Sequence, residues 1–388
     1  MSVIRAEPTR MSDWTSRSIG AAWRAFDLQL VAYAGLLATL GVVMAYTNSV
    51  EQGDTVFVLG TTFVRGLMWT GIGLVVFIVA TAFDYKWLKT FAWPLYAVQL
   101  GLLVLTLGIG HGVGGASRWI SFGPFDFQFS ELAKILMIVV LGNYLAARQG
   151  RMSSLASLIG ACILVVPPWM LVMLQPDLGT SLVLLAIVAG MVWMSGARLL
   201  WLGLIAAGAV VAFAVVWNVP GILHDYQRQR ILAFLNPALD TQGAGYQVNQ
   251  ALIAIGAGGW TGTGLTNGSQ SQLNFLPVAE SDFVAAVYLE ELGFFGGLIL
   301  LILFAALLWR ILVSGWRSKD PFGLMFSSGL ATMILFQLVV NLGMVVGIMP
   351  VTGIPLPFIS HGGASLISLA IGLGIVQSIN VRQTRAEW

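Results

Sequence analysis

Two charged residues three positions apart, Glu131 and Lys134, stand inside a run of apolar side chains. Residues three apart share one face of a helix. An ionisable group among apolar neighbours is costly unless it is paired or functional, so the pair reads either as a clamp holding the fold in register or as a contact for a substrate. The rest of the charged inventory with chemical potential is Arg118, Asp126, Asp177, Asp225, Arg228, Arg230, Asp240, Glu280 and Asp282. A carboxylate beside arginines suits a reaction on an anionic head group. The carboxylate can take a proton from an attacking hydroxyl, and the guanidinium groups can hold a phosphate. Asp282 also stands where a long apolar run begins, and Asp is a common helix N-cap; taken by themselves, the residues favour the cap. Glu290 and Glu291 follow about two turns deeper and must face protein or water.

Other chemistries find little support. The three histidines, His111, His224 and His361, have no metal-ligand spacing. The glycines between Gly256 and Gly268 lack the lysine of a phosphate-binding loop and follow no strand, so no nucleotide cofactor is expected, and glycine there suits tight turns and close packing. No serine has a credible histidine and aspartate set. The single cysteine, Cys162, excludes an internal disulfide.

The elements that position these residues are dictated by composition. Of 388 residues, 57% are hydrophobic and 9% charged, against about 25% charged in a soluble domain. The apolar residues come in long continuous runs, which argues for spanning helices and against the alternating pattern of a membrane barrel. The expected fold is therefore all-α: a polytopic integral membrane protein of about ten transmembrane helices. The spans fall near 26–46, 58–82, 88–109, 130–147, 153–174, 178–195, 198–218, 281–312, 322–348 and 362–381. Pro167-Pro168 should interrupt the fifth, most simply as a kink relieved by its neighbours. One loop set holds Arg5, Arg10, Arg17, Arg24, Lys86, Lys89, Arg148, Arg151, Arg198, Arg310, Arg317, Lys319, Arg382 and Arg385; the other holds Arg118, Arg228 and Arg230. Basic loops stay inside, so both termini are expected in the cytoplasm. The organisation is then an N-terminal tail (1–25), a single membrane domain (26–381) and a C-terminal tail (382–388). Two outer loops stand out, at about 110–129 and, between the seventh and eighth spans, a large extracytoplasmic loop at 219–280. A net charge of +2, with basic residues sorted by loop, gives no reason to expect nucleic acid as a partner.

Five loop segments resemble, in order, the signature of the SEDS family (shape, elongation, division and sporulation). They are Gly114-Gly115-Ala116-Ser117-Arg118-Trp119-Ile120 with Phe127-Gln128-Phe129-Ser130-Glu131-Leu132-Ala133-Lys134; Gln175-Pro176-Asp177-Leu178-Gly179-Thr180; Gly243-Ala244-Gly245-Tyr246-Gln247; FLPVAESDF at 275–283; and GIPLPFISHGG at 353–363. The resemblance covers nearly the whole chain. It implies a peptidoglycan glycosyltransferase of the bacterial cytoplasmic membrane that polymerises lipid II, works with a class B penicillin-binding protein transpeptidase, and uses a divalent ion such as Mg or Mn. It makes Asp282 the catalytic carboxylate, and Arg118, Trp119, Glu131, Lys134, Arg228, Arg230 and Glu280 substrate-binding residues. The runs YQRQRILAFLNP (226–237) and SQSQLNFLP (269–277) look more like the RodA branch, for elongation, than the FtsW branch, for division. The chain departs from the family pattern at Phe129, where proline is usual, at His361 and Ala364 (tyrosine and serine), at Glu280-Ser281 (His-Thr) and at Ala251 (serine). The readings competing with a RodA-like polymerase are a lipid II flippase, an FtsW-like division polymerase and a noncatalytic scaffold.

Overall fold

The computed structural model describes residues 25–51, 61–112, 118–122, 125–148, 154–219, 230, 232, 234, 243–272 and 282–383. In chain order these form α1 (Leu28–Glu51), α2 (Thr62–Ala82), α3 (Lys86–Thr90), α4 (Ala92–Ile109), β1 (Ile120–Phe122), β2 (Phe125–Phe127), α5 (Phe129–Ala146), α6 (Leu155–Leu174), α7 (Leu178–Met194), α8 (Leu199–Asn218), α9 (Ala244–Gly258), α10 (Ser269–Gln272), α11 (Val284–Trp316), α12 (Pro321–Val345) and α13 (Gly363–Gln383). A helix answers each of the ten expected spans. Among the described residues, eight are long and apolar enough to cross a membrane, and α7 is a shorter apolar helix. The protein is a multi-pass membrane protein.

Lipid cannot satisfy a backbone amide, so the spans close their hydrogen bonds within the helix or, at a break, with neighbouring segments. What distinguishes the spans is burial. α5, α12 and α13 are mostly enclosed, whereas α2 turns nearly all its surface outward, with Leu74, Val75, Ile78 and Val79 exposed. The centre is built from Ile135, Met137, Ile138 and Leu141 of α5, Val183, Leu184, Ile187 and Met191 of α7, Phe326, Leu330 and Ile334 of α12, and Leu373 and Val376 of α13.

At one end of the bundle, polar ties close the helix ends. Lys89 pairs with Asp320 at 2.8 Å, and Arg310 makes two bonds to Asp27. Arg382 donates to the last carbonyls of α2, at Thr81 and Ala82. Asp320 also caps α12, accepting from the Phe322 amide. Burial, together with the nearby carboxylates of Asp320 and Asp84, pushes the Tyr85 phenol up to about 12.

Three features refine the expected outline. The outer loop at 219–280 is not loop throughout, because α9 and α10 lie within it. The loop at 110–129 contains an antiparallel hairpin pairing Ile120 with Phe127 and Ser121 with Asp126, so the fold is helical with one small sheet. Third, α6 continues as one helix through Pro167 and Pro168, with the lost hydrogen bond relieved by a neighbour as expected. Pro168 has no amide to give the carbonyl of Leu164. The Tyr96 hydroxyl of α4 donates to that carbonyl instead, at 2.9 Å, so a neighbouring helix replaces the missing bond. The tails at 1–24 and 384–388 lie outside the described residues.

Tyr96→Phe should therefore lower stability by about 1 kcal/mol, the usual net worth of such a bond. In a Pro168→Ala background, where residue 168 regains its own donor, the same change should cost much less. Thermal melts of the four detergent-solubilised proteins in this cycle check it; equal costs in both backgrounds would refute the substitution of one donor for the other.

Candidate functional site

The hairpin runs directly into α5 and aims its neighbours at the end of the bundle opposite the Lys89–Asp320 tie. Ser121 donates to Asp126 at 2.5 Å, and the backbone of Trp119 bridges that of His111, which seats Trp119 at the mouth of a cavity. Arg118 beside it donates to the carbonyls of Gln175 (3.3 Å) and Pro176, at the turn from α6 to α7. Gln175 is itself held by a bond to Leu103 of α4.

Asp177 joins the starts of α5 and α7. One carboxylate oxygen caps α7 through the Thr180 amide at 3.1 Å; the other accepts from Gln128 (2.9 Å) and Ser130 (3.3 Å). One turn into α5, Lys134 and Glu131 meet at 2.7 Å, with Lys134 1% and Glu131 5% exposed. They share a helix face, as their spacing predicts, and both also line the cavity. The structural and the substrate-facing readings are thus compatible in one pair.

Taken by itself Asp282 read as a cap for the following helix, and the family resemblance made it the catalytic carboxylate. The N-cap position of α11 belongs to Phe283, and Asp282 lines the cavity. Its backbone is pinned by Asn341 of α12, which is fully buried and whose amide donates to the carbonyls of both Asp282 (3.0 Å) and Ile354 (2.8 Å). Gly353 lies against the carboxylate with φ +73°. A Cβ there would stand 3.3 Å from Asp282 Oδ2 and 3.4 Å from Arg230 Nη1. Glycine meets both demands, an unusual dihedral and the lack of room.

The cavity encloses about 230 Å³ and gathers Arg118, Trp119, Glu131, Lys134, Arg230 and Asp282, six of the residues singled out from sequence. Arg228 and Glu280 lie outside the described residues. Its wall adds Gln128, Thr180, Gly353 and His361, which stand within the segments that resemble the family, and Gln337 and Ser365, which carried no sequence signal for a site. A second cavity of about 240 Å³ adjoins it, sharing Trp119, His361 and Gly362 and adding Thr62, Arg65, Trp69, Asp126 and Ser360. Arg65 had a signal that went unused, since a lone arginine within an apolar span marks a functional candidate. Together the two cavities combine four carboxylates (Asp126, Glu131, Asp177 and Asp282), cationic side chains and the indoles of Trp69 and Trp119.

The family model for cell cycle proteins of the FtsW, RodA and SpoVE type matches residues 27–385. The chain belongs to this family. Stage V sporulation protein E of Bacillus subtilis is 36% identical over 361 residues, covering 91% of this chain and 96% of that protein. The peptidoglycan glycosyltransferase MrdB of Escherichia coli K12 is 40% identical over 313 residues, covering 80% and 84%. Among solved structures, a chain of a peptidoglycan synthase complex that coordinates polymerization and crosslinking superposes with a TM-score of 0.76 at 32% identity, covering 92% of this chain and 98% of that one. The rod shape determining protein RodA of Thermus thermophilus gives 0.67 at 30%, covering 93% and 98%.

Removing one partner of the buried pair leaves the other charge without compensation. Lys134→Ala or Glu131→Ala should each cost about 3–5 kcal/mol, and the double variant should cost less than the two single losses combined. Melting curves for the cycle check this; simple additivity would mean the two side chains do not depend on each other.

Proposed function

We propose that this chain is a peptidoglycan glycosyltransferase that polymerises lipid II into glycan strands on the outer face of the bacterial cytoplasmic membrane. The observation that carries this reading is the carboxylate of Asp282 in a cation-bearing cavity at the end of the bundle remote from the basic loops. The names of the relatives support it, since MrdB and the FtsW proteins are called peptidoglycan glycosyltransferases.

In the proposed reaction, a sugar hydroxyl of the acceptor attacks the anomeric carbon of the donor. A carbon–oxygen bond forms there as the bond to the polyprenyl diphosphate breaks. The hydroxyl proton passes to Asp282, acting as general base, a role worth about 10²–10⁴ in rate. The diphosphate leaves as an anion, and fixed cations stabilise the charge that grows on it. Arg118, Arg230 and Lys134 line the cavity that holds Asp282, and Arg65 lines the adjoining one. Trp119 and Glu131 complete the proposed substrate contacts, with Arg228 and Glu280 added from the family resemblance. Two neighbouring cavities suit a reaction that joins two copies of one substrate.

The same reading takes in several finer points. A divalent ion, Mg or Mn, would neutralise charge on the diphosphate. Among the described residues no group of three His, Cys, Asp or Glu side chains could hold one, but Mg²⁺ bound at phosphates commonly takes one or two carboxylates from the protein. Both termini belong on the cytoplasmic side because the basic loops lie at the end opposite the cavity. The RodA branch, and so cell elongation, is favoured by the 226–237 and 269–277 runs and by the likeness to the rod shape determining protein RodA of Thermus thermophilus. A class B penicillin-binding protein is the proposed partner, supported by the likeness to a chain from a complex that couples polymerization to crosslinking.

Asp282→Asn keeps the shape and removes the base. It should reduce polymer formation by about 10²–10⁴-fold at an unchanged melting temperature. The assay is chain growth by purified protein from lipid-linked disaccharide, with and without partner and chelator. Near-normal polymer from the variant would sink the base assignment, and unaltered substrate with the native chain would favour a transporter.

A further inference from the structure

The helix that follows Asp282 is cut. At Gly293, φ 65° and ψ −164° break α11 between an upper piece beginning at Val284 and a long lower piece ending at Trp316. In an unbroken helix the amides of Phe294 and Phe295 would bond the carbonyls of Glu290 and Glu291. Here Phe294 donates to Gly259 (2.9 Å) and Phe295 to Trp260 (3.1 Å), while the carbonyls of Glu290 and Glu291 accept from Thr263 and Gly264, both at 3.0 Å. The break is thus filled by the segment that follows α9. Gly258 and Gly262 allow the approach, since a Cβ on either would collide with the carbonyl of Leu289 or of Glu291.

The two glutamate side chains add a second set of ties. Glu291 Oε1 accepts from the Thr266 amide at 2.9 Å. Glu290 Oε1 accepts from the Gln270 amide at 2.9 Å and the Ser269 hydroxyl at 3.3 Å. Glu290 is 0% and Glu291 1% exposed. Neither lines the cavity that holds Asp282. Eight residues of helix place Glu290 about 12 Å below Asp282, too far to touch the reacting atoms.

We propose that Glu290 and Glu291 are positioning residues for Asp282: they clamp the 263–270 segment to the upper piece of α11 and hold that piece at the height that puts the carboxylate in the cavity. The inference rests on Asp282 being the catalytic base. Its logic is mechanical. With the backbone ladder interrupted at Gly293, the upper piece is held to the lower one by the chain itself and by the Tyr288 hydroxyl, which donates to the Gly296 carbonyl at 3.0 Å, so lateral ties share in locating it. Asn341 provides one at the top, and the two glutamates provide the others at the bottom.

The test is steady-state polymerisation by the purified full chain with its partner, combined with melting curves. Glu290→Ala and Glu291→Ala should each lower kcat, by up to about 10²-fold for an ångström-scale displacement of a catalytic group, with KM held near its native value. Glu290→Gln and Glu291→Gln keep an oxygen that accepts from the same amides and should retain most of the activity. Alanine variants at full kcat overturn the proposal. So does a loss of activity that only follows the loss of folded protein, or one that moves KM as far as kcat. Should the alanine variants not fold, the glutamine variants decide: activity near native supports positioning, and inactivity at a native melting temperature overturns it by assigning the charge itself a role. Asp282→Asn, run in parallel, separates the two levels. If it is inactive while the alanine variants are fully active, the positioning role alone falls. If it is active, the base reading falls and takes this inference with it.

Discussion

A polar group inside a bilayer has no solvent to turn to, and the architecture follows from answering that demand locally. Where Pro168 withholds an amide, Tyr96 supplies a hydroxyl to the stranded carbonyl. Where α11 breaks at Gly293, the segment after α9 exchanges hydrogen bonds with the broken turn. Where the starts of α5 and α7 approach, Asp177 takes the amide of one and the side chains of the other. Each answer ties together segments distant in the chain, so satisfying the backbone and assembling the site are the same act.

The carboxylates at the cavity differ in chemistry because they differ in partners. Asp177 serves as a cap and as a joint between helices. Glu131 is committed to a buried lysine. Asp282 is fixed through its backbone carbonyl by Asn341, which leaves its position defined by the main chain and its side chain turned to the cavity. Three acids of similar intrinsic strength are thereby given separate duties, as wherever environment sorts one group type into several roles.

How much of this was legible in the residues varies with the range of the interaction. The ten spans were legible, because twenty apolar residues in a row have few other fates. Glu131 and Lys134 were legible as a pair, because helical spacing is local. Asp282 taken by itself read as a cap, because capping is a local habit of aspartate; its place at the cavity involves Asn341, which holds its carbonyl, and Gly353, which lies against its carboxylate, both far along the chain. The helices inside the long outer loop were hidden because α9 is short and glycine-rich at its end. The break in α11 was hidden because a single glycine, Gly293, in a long helical run is not by itself a break signal. Departures from the family pattern at His361 and Ala364 gain meaning from the structure, since both residues line the cavity that holds Asp282.

The cut at Gly293 also decides what the carboxylate can feel. An intact rod would convey every tilt or twist of its lipid-facing half straight to its tip. A rod whose ladder is interrupted partway and splinted sideways shares that load with its splint. Strain applied to the splint, by contrast, passes to the tip almost undiminished.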